Sequence, residues 1–179
     1  LWIPNLESWS GAHEPMVRAL RAGRLGIRSR PRGFSTVALP ADYQAFLASM
    51  STNRRQQIRR NTKKILSKPG VEVRKVTTRD ELGPALDALF RLHGKRWRSV
   101  GQDGVFDRNV KEREFYECFA PEALARGWLA VYTLFDGSEP KAVQIGYVYG
   151  RAFLQLQEGF DPDYSPHVGN ALRTWVIQD

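Results

Sequence analysis

The sequence predicts an α/β (α+β) fold, a mixed and largely antiparallel sheet flanked by helices. Three observations predict it. Leu82, Leu86, Leu89, His93 and Trp97 follow one stripe at helical spacing. Two strand-like runs, 128–135 and 141–149, flank Asp136-Gly137, a hairpin turn pair. Phe153, Leu154 and Leu156 alternate with Gln155 and Gln157 as a half-buried strand does. A turn-rich Asp161-Pro162-Asp163-Tyr164 then leads into a second helical stripe through Leu172, Trp175 and Val176. With 179 residues, 42% of them hydrophobic, the chain can bury a real core.

Taken in order, residues 1–6 read as a strand and 14–22 as a short helix. Residues 25–28 and 34–39 read as strands joined by Pro31-Arg32-Gly33. A helix over 42–50 presents Tyr43, Phe46 and Leu47 on one face. A basic helix follows and stops at Lys68-Pro69-Gly70, where a missing amide and a flexible glycine end any helix. That punctuation divides the chain into 1–68 and 71–179. The second part opens on a strand over 71–76 and a helix beginning at Thr78, whose hydroxyl and Glu81 form a Thr-x-x-Glu capping box. Residues 100–107 form a Gly-containing loop, and 109–126 a helix kinked or split at Pro121. After the hairpin, Gly150 turns the chain into the strand at Phe153. This strand breaks at Gly159, and the last helix starts at Val168.

The net charge of +8 is uneven. Arg54, Arg55, Arg59, Arg60, Lys63, Lys64 and Lys68 lie in a stretch without an acid, and the remainder is nearly neutral. This stretch reads either as a platform for a polyanion or as a solvated helix with Ile58, Ile65 and Leu66 inward. Base-stacking aromatics are absent from it, which favours the solvated helix. The single cysteine, Cys118, excludes an internal disulfide and fits a reducing compartment. Its neighbours Phe115 and Phe119 suggest a buried structural thiol. Three scattered histidines and one cysteine argue against a protein-built zinc site. No apolar run is long enough to span a bilayer and no signal peptide is visible, so a cytoplasmic protein is expected.

The strand–turn–helix junction carries the chemistry. A helix start built from Val168, Gly169, Asn170 and Ala171 presents free amides at the positive end of a helix dipole, and Gly169 would let a phosphate approach the backbone. Many strand–helix junctions contain a glycine that is only a packing choice, and on spacing alone packing is the stronger reading. His93, Arg96 and Trp97 read as a substrate wall or as a packed helix face; packing is the stronger reading for Trp97. For Arg96, a guanidinium beside an apolar stripe calls for a partner.

Ser51-x-x-x-Arg55-x-x-x-Arg59-Arg60, then Leu92-His93-x-x-Arg96-Trp97, then Gly159-Phe160-Asp161-Pro162-x-Tyr164 and Val168-Gly169-Asn170-x-Leu172 resemble one family in collinear order. It is the GNAT-superfamily acetyltransferase domain of the CelD type, found in cellulose- and exopolysaccharide-associated proteins and related to FemAB-like aminoacyl transferases. The resemblance covers nearly the whole chain. His167 departs from it, standing where the family more often has a small residue. The resemblance implies a two-lobed GNAT-like build, with 1–68 a partial first lobe bearing a basic connecting helix. It implies acetyl-CoA (or another acyl-CoA) as cofactor, with Leu156 and Gln157 facing the thioester and Val168, Gly169, Asn170 and Ala171 taking the pyrophosphate.

Acyl transfer to an amine also needs a base. Glu158, at the end of the cofactor strand, is the first candidate and Asp161 and Tyr164 the next. Glu158 serves equally well as a surface carboxylate balancing an arginine, and Asp161 as a turn residue. His93, Arg96, Trp97 and Asp103 are the expected substrate contacts. The expected reaction is N-acyltransfer to a small-molecule or sugar amine by direct attack in a ternary complex, within polysaccharide biosynthesis. The alternatives are an aminoacyl-tRNA-dependent peptide transferase, or a non-catalytic binding or assembly module. The family's order continues past the last helix, so the chain is expected to be incomplete at both ends. Apolar surface at Trp175, Val176 and Ile177 is then expected to favour a homodimer, and the isolated chain to be nearly inactive.

Overall fold

Residues 11, 13–28 and 36–179 are described by a computed structural model, in which the chain divides into two units, Leu1–Ala38 and Leu39–Asp179. In the first unit, helix α1 (His13–Ala22) closes with the Leu25 amide on the Leu20 carbonyl (3.0 Å) and Arg24 in a left-handed turn (φ 55°). The expected strand over 25–28 does not form. Its first amide closes the helix, Gly26 interrupts it, and among the described residues no partner strand covers Leu25 or Ile27, both exposed. Residues 36–39 likewise run exposed and, among the described residues, without a partner strand. The remainder of that expected strand, the Pro31-Arg32-Gly33 turn and the strand expected over 1–6 lie outside the described residues.

The second unit is built on an antiparallel sheet of order β1-β2-β3-β4, formed by β1 (Val71–Lys75), β2 (Leu129–Asp136), β3 (Glu139–Tyr149) and β4 (Ala152–Phe160). Alternation along β2 sends side chains to both faces, and both are covered. On one face Leu129, Val131, Val143 and Ile145 pack against α4 (Arg79–Arg98), α5 (Val105–Arg108) and α6 (Val110–Ala125). On the other, Ala130, Tyr132, Leu134 and Ala142 meet α3 (Thr52–Leu66) and α7 (Val168–Gln178), through Ile65, Val168, Ala171 and Leu172. The short α2 (Tyr43–Ala48) is capped by Asp42 and buries Phe46 and Leu47. At the start of α4, the Glu81 carboxylate accepts from the amides of Thr77 (2.8 Å) and Thr78 (3.0 Å).

Four local expectations change. The loop over 100–107 contains α5, because Phe106, only 2% exposed, draws a helical turn into the core beside Phe90. Helix α6 runs continuously past Pro121. Cys118 is exposed rather than buried, since α6 turns Tyr116, Ala120 and Ala123 inward instead. Finally, β4 continues through Gly159 to Phe160. A Cβ at Gly159 would stand 2.5 Å from the His93 backbone nitrogen, so this glycine is where the strand crosses α4 in direct backbone contact. The last turns of α7 also differ from expectation. Trp175 and Val176 are half-buried in the core cluster, with the Trp175 ring 5.8 Å from Tyr132.

Candidate functional site

Strand β4 is an edge of the sheet among the described residues, and its pairing with β3 is irregular. Gly146 opposes Gln155 and Ile145 opposes Gln157, which leaves Leu156 as the extra residue of a β-bulge. A bulge re-aims the backbone groups around it, and here it does so on a strand whose outer edge is open. Gly146 makes the irregularity possible: a Cβ there would lie 2.5 Å from the Phe153 ring and 2.6 Å from the Leu154 carbonyl.

From Phe160 the chain turns through 161–167 into α7. The Val168 amide bonds the Ser165 carbonyl (3.3 Å) and that of Ala171 the His167 carbonyl (2.9 Å). The amides of Gly169 and Asn170, between them, are the orphan donors of the first turn. The helix start therefore suits an anion by its backbone. Gly169 itself has another task. A Cβ there would sit 2.7 Å from the Phe160 ring, so its missing side chain accommodates Phe160 rather than a ligand.

Glu158 is held in place. One guanidinium nitrogen of Arg173 on α7 lies 2.6 Å from both of its oxygens, and Gln155 donates to it at 3.2 Å. Asp161 pairs with Lys95, which also reaches Asp163 at 3.0 Å. Burial pushes the Asp161 carboxyl up, but the Lys95 hydrogen bond and the Asp163 amide outweigh it, and the group titrates below the usual range. Tyr164 lies toward the end of the basic helix, with Lys68 4.3 Å and Lys141 5.4 Å from its ring. Burial first, and Asp136 second, push its phenol up to about 12, although among the described residues the hydroxyl has no hydrogen-bond partner.

On the other side of Phe160, the end of α4 and the β4–α7 turn enclose a cleft of about 280 Å³. Arg96, Trp97, Val100, Phe160, Pro162 and Pro166 line it. The Arg96 guanidinium carbon lies 4.8 Å from the Trp97 ring and 5.1 Å from Phe160. His93 stands behind this wall, 3% exposed, its Nε2 accepting from the Trp97 indole N–H at 3.0 Å. Burial, followed by the charge of Arg96, lowers the His93 pKa, which preserves the neutral form that can accept.

The expected residues therefore fall into separate places. Arg96 and Trp97 line the cleft and His93 orients Trp97 from within the core, while Asp103 is exposed outside the cleft lining. Leu156 and Gln157 sit at the bulge, beside Glu158. Sequence reasoning missed Phe160, Pro162 and Pro166 as cleft walls, although the Gly-Phe-Asp-Pro run contains two of them. An arginine beside Glu158 was expected and is Arg173, whereas Lys95 as the partner of Asp161 was missed, because that pair forms between separate elements.

Residues 52–179 match the family described as acetyltransferase (GNAT) domain. No curated protein matches the chain.

Proposed function

The chain belongs to the GNAT acetyltransferase domain family, and from that premise we propose that it transfers an acyl group from acyl-CoA, acetyl-CoA first, to an amine. The observation that carries this reading is the β4–α7 unit: an edge strand bulged at Leu156, followed by a helix start with two unbonded amides. Those amides fit the phosphates of CoA by charge and direction. When bound, the cofactor supplies an acyl group already activated as a thioester.

The remaining work belongs to the chain. Backbone amides around Leu156 and Gln157 would hold the acyl end and stabilise negative charge developing there. The amides of Gly169 and Asn170 would hold the phosphate end, flanked by Val168 and Ala171. Glu158, next to the bulge and fixed by Arg173, would take the proton that the acceptor amine loses on acylation. Asp161, tied to Lys95, and Tyr164, with its raised pKa, are the second choices for that proton. The acceptor, a small molecule or an amino sugar, lies along Arg96 and Trp97, with His93 behind. The CelD-type resemblance points to exopolysaccharide or cellulose-associated chemistry, and the lone thiol Cys118 to the cytoplasm. Among the described residues no helix is long and apolar enough to cross a membrane.

Calorimetry with acetyl-CoA and CoA, joined to turnover with a panel of amines and amino sugars, tests the reading. Asn170→Pro removes one first-turn amide where a helix tolerates proline, and should weaken CoA binding about tenfold with helicity unchanged. Glu158→Gln should lower kcat by about a hundredfold or more while acetyl-CoA binding persists. A folded chain that ignores CoA and acyl-CoA overturns the proposal. Selective tRNA binding at physiological salt would point instead to aminoacyl transfer, and a chain that binds CoA without turnover to an assembly module.

A further inference from the structure

We infer that the cleft between the end of α4 and the β4–α7 turn receives a carboxylate carried by the acceptor, flanked by an apolar or aromatic group. This deepens the acyltransfer reading and rests on it for the word acceptor.

The argument begins with Arg96. Its guanidinium is half-buried against Trp97 and Phe160, yet among the described residues it has neither a hydrogen bond nor an ion pair. Its five N–H donors are not sealed off, since no Arg96 nitrogen is among the buried unpaired atoms, so they face the cleft's solvent and are free to take an anion in place of water. The nearby acids do not engage them. Asp161 and Asp163, on the turn that forms one wall, are both drawn to Lys95, and Glu158 to Arg173. The Ser99 hydroxyl donates to the Arg96 carbonyl at 2.7 Å and is already engaged. The cleft is thus left with one unmatched positive charge.

The remaining lining decides the class of anion. Arg96 is the sole cationic side chain among the lining residues, which matches a monoanion better than a phosphate dianion. A guanidinium laid against aromatic rings offers its edge, and two in-plane donors fit a planar two-oxygen acceptor. Around that edge Trp97, Val100, Phe160, Pro162 and Pro166 present apolar surface. A volume of about 280 Å³ equals roughly nine waters, the size of a small aryl or branched acid. Glu158 and Phe160 are two residues apart on the strand and share a face, separated by about 7 Å along it. Glu158 turns to Arg173 on α7, on the sheet face opposite α4, so a molecule reaching both would lie across the β4 edge with its carboxylate in the cleft and its amine toward Glu158. An amino acid with an apolar side chain is the simplest such acceptor.

Nuclear magnetic resonance of the full chain, reading the Trp97 indole N–H assigned with Trp97→Phe, gives the test. The probes are 3-phenylpropionate, its amide, inorganic phosphate and acetyl-CoA. The acid should shift the indole resonance and the isosteric amide should bind at least about tenfold more weakly. Arg96→Gln should lose acid binding by about the same factor while its affinity for acetyl-CoA stays within about twofold. Equal binding of acid and amide overturns the inference, as does undiminished acid binding in Arg96→Gln. Displacement of the acid by equimolar phosphate also overturns it, since the cleft would then be a phosphate site. Should Arg96→Gln fail to fold, the acid-to-amide comparison on the unaltered chain decides alone. Acid binding without acetyl-CoA binding supports the cleft and overturns the acyl-CoA reading; the converse overturns the cleft and spares that reading.

Discussion

Gly159 and Gly169 look alike in the sequence, ten residues apart around a turn, yet their neighbours give them different tolerances. Beyond Gly159 lies backbone, the His93 nitrogen at 2.5 Å and the Leu89 carbonyl at 2.8 Å from a built Cβ, and backbone cannot move aside cheaply. Gly159→Ala should therefore destabilise the fold by about 2–3 kcal/mol in urea titrations. Beyond Gly169 lies the Phe160 ring, at 2.7 Å, which can turn. Gly169→Ala should cost less, about 1 kcal/mol, and should move the cleft wall; an equal loss at both sites would contradict this ranking. For the same reason Gly169→Val cannot serve as a clean probe of phosphate binding. His93 makes a pH prediction. Its folded pKa lies below the ordinary 6.5, so the unfolded chain takes up the proton first. Stability is then complete above about 6.5 and declines as pH falls below it, by at most about 1.4 kcal/mol per unit of pKa difference. Urea midpoints measured at pH 7.5 and 5.5 should differ, and His93→Gln, which keeps an acceptor for Trp97, should reduce that difference. Asp161 adds loss in the same direction only below about 3.8, as pH falls toward its lowered folded value.

The elements were legible where a local rule sufficed. Thr78 and Glu81 announce the start of α4, Pro69-Gly70 end the basic helix, and Asp136-Gly137 turn the hairpin, with Gly137 at φ 61°. The extended segments of the first unit were not legible, because a strand is defined by its partner and β-propensity alone supplies none. Helix α3 is a case where composition left two readings. It buries Ile65, half-buries Ile58 and Leu66, and leaves Arg54, Arg60 and Lys64 exposed. Replacing these three with Gln should change stability by less than about 1 kcal/mol. Any binding of single-stranded RNA should be salt-steep, and the triple replacement should reduce the slope of log K against log salt by about two. An unchanged slope would show that α3 is not where polyanions meet the chain.

At the scale of the molecule, the exposed apolar surface has moved from where α7 alone would place it. Phe115 and Phe119 stack on α6, Phe119 meets Tyr147, and Trp128 meets Tyr149 on β3, with Phe115 50% and Tyr149 64% exposed. Sedimentation at rising protein concentration should show weak self-association that Phe115→Ser with Tyr149→Thr removes. Association untouched by that pair would place the contact elsewhere, the open edge of β4 being the next surface to alter.

The sequence by itself determined the order of the long helices and the strands in 71–179, though not the short α5, and it determined the hairpin turn and the GNAT family. These depend on periodicity and on residues within a few positions of one another. It also named Arg96, Trp97 and Glu158 as candidates. Only the tertiary structure decided what each of them meets: Glu158 pairs with an arginine fifteen residues on, the loop acids turn to Lys95, and Arg96 is left against two rings without an anion. The bulge at Leu156 likewise appears only in the register between β3 and β4. Charge pairing and register depend on distances between segments remote in the chain, and those distances exist only once the sheet and its two helical layers have packed.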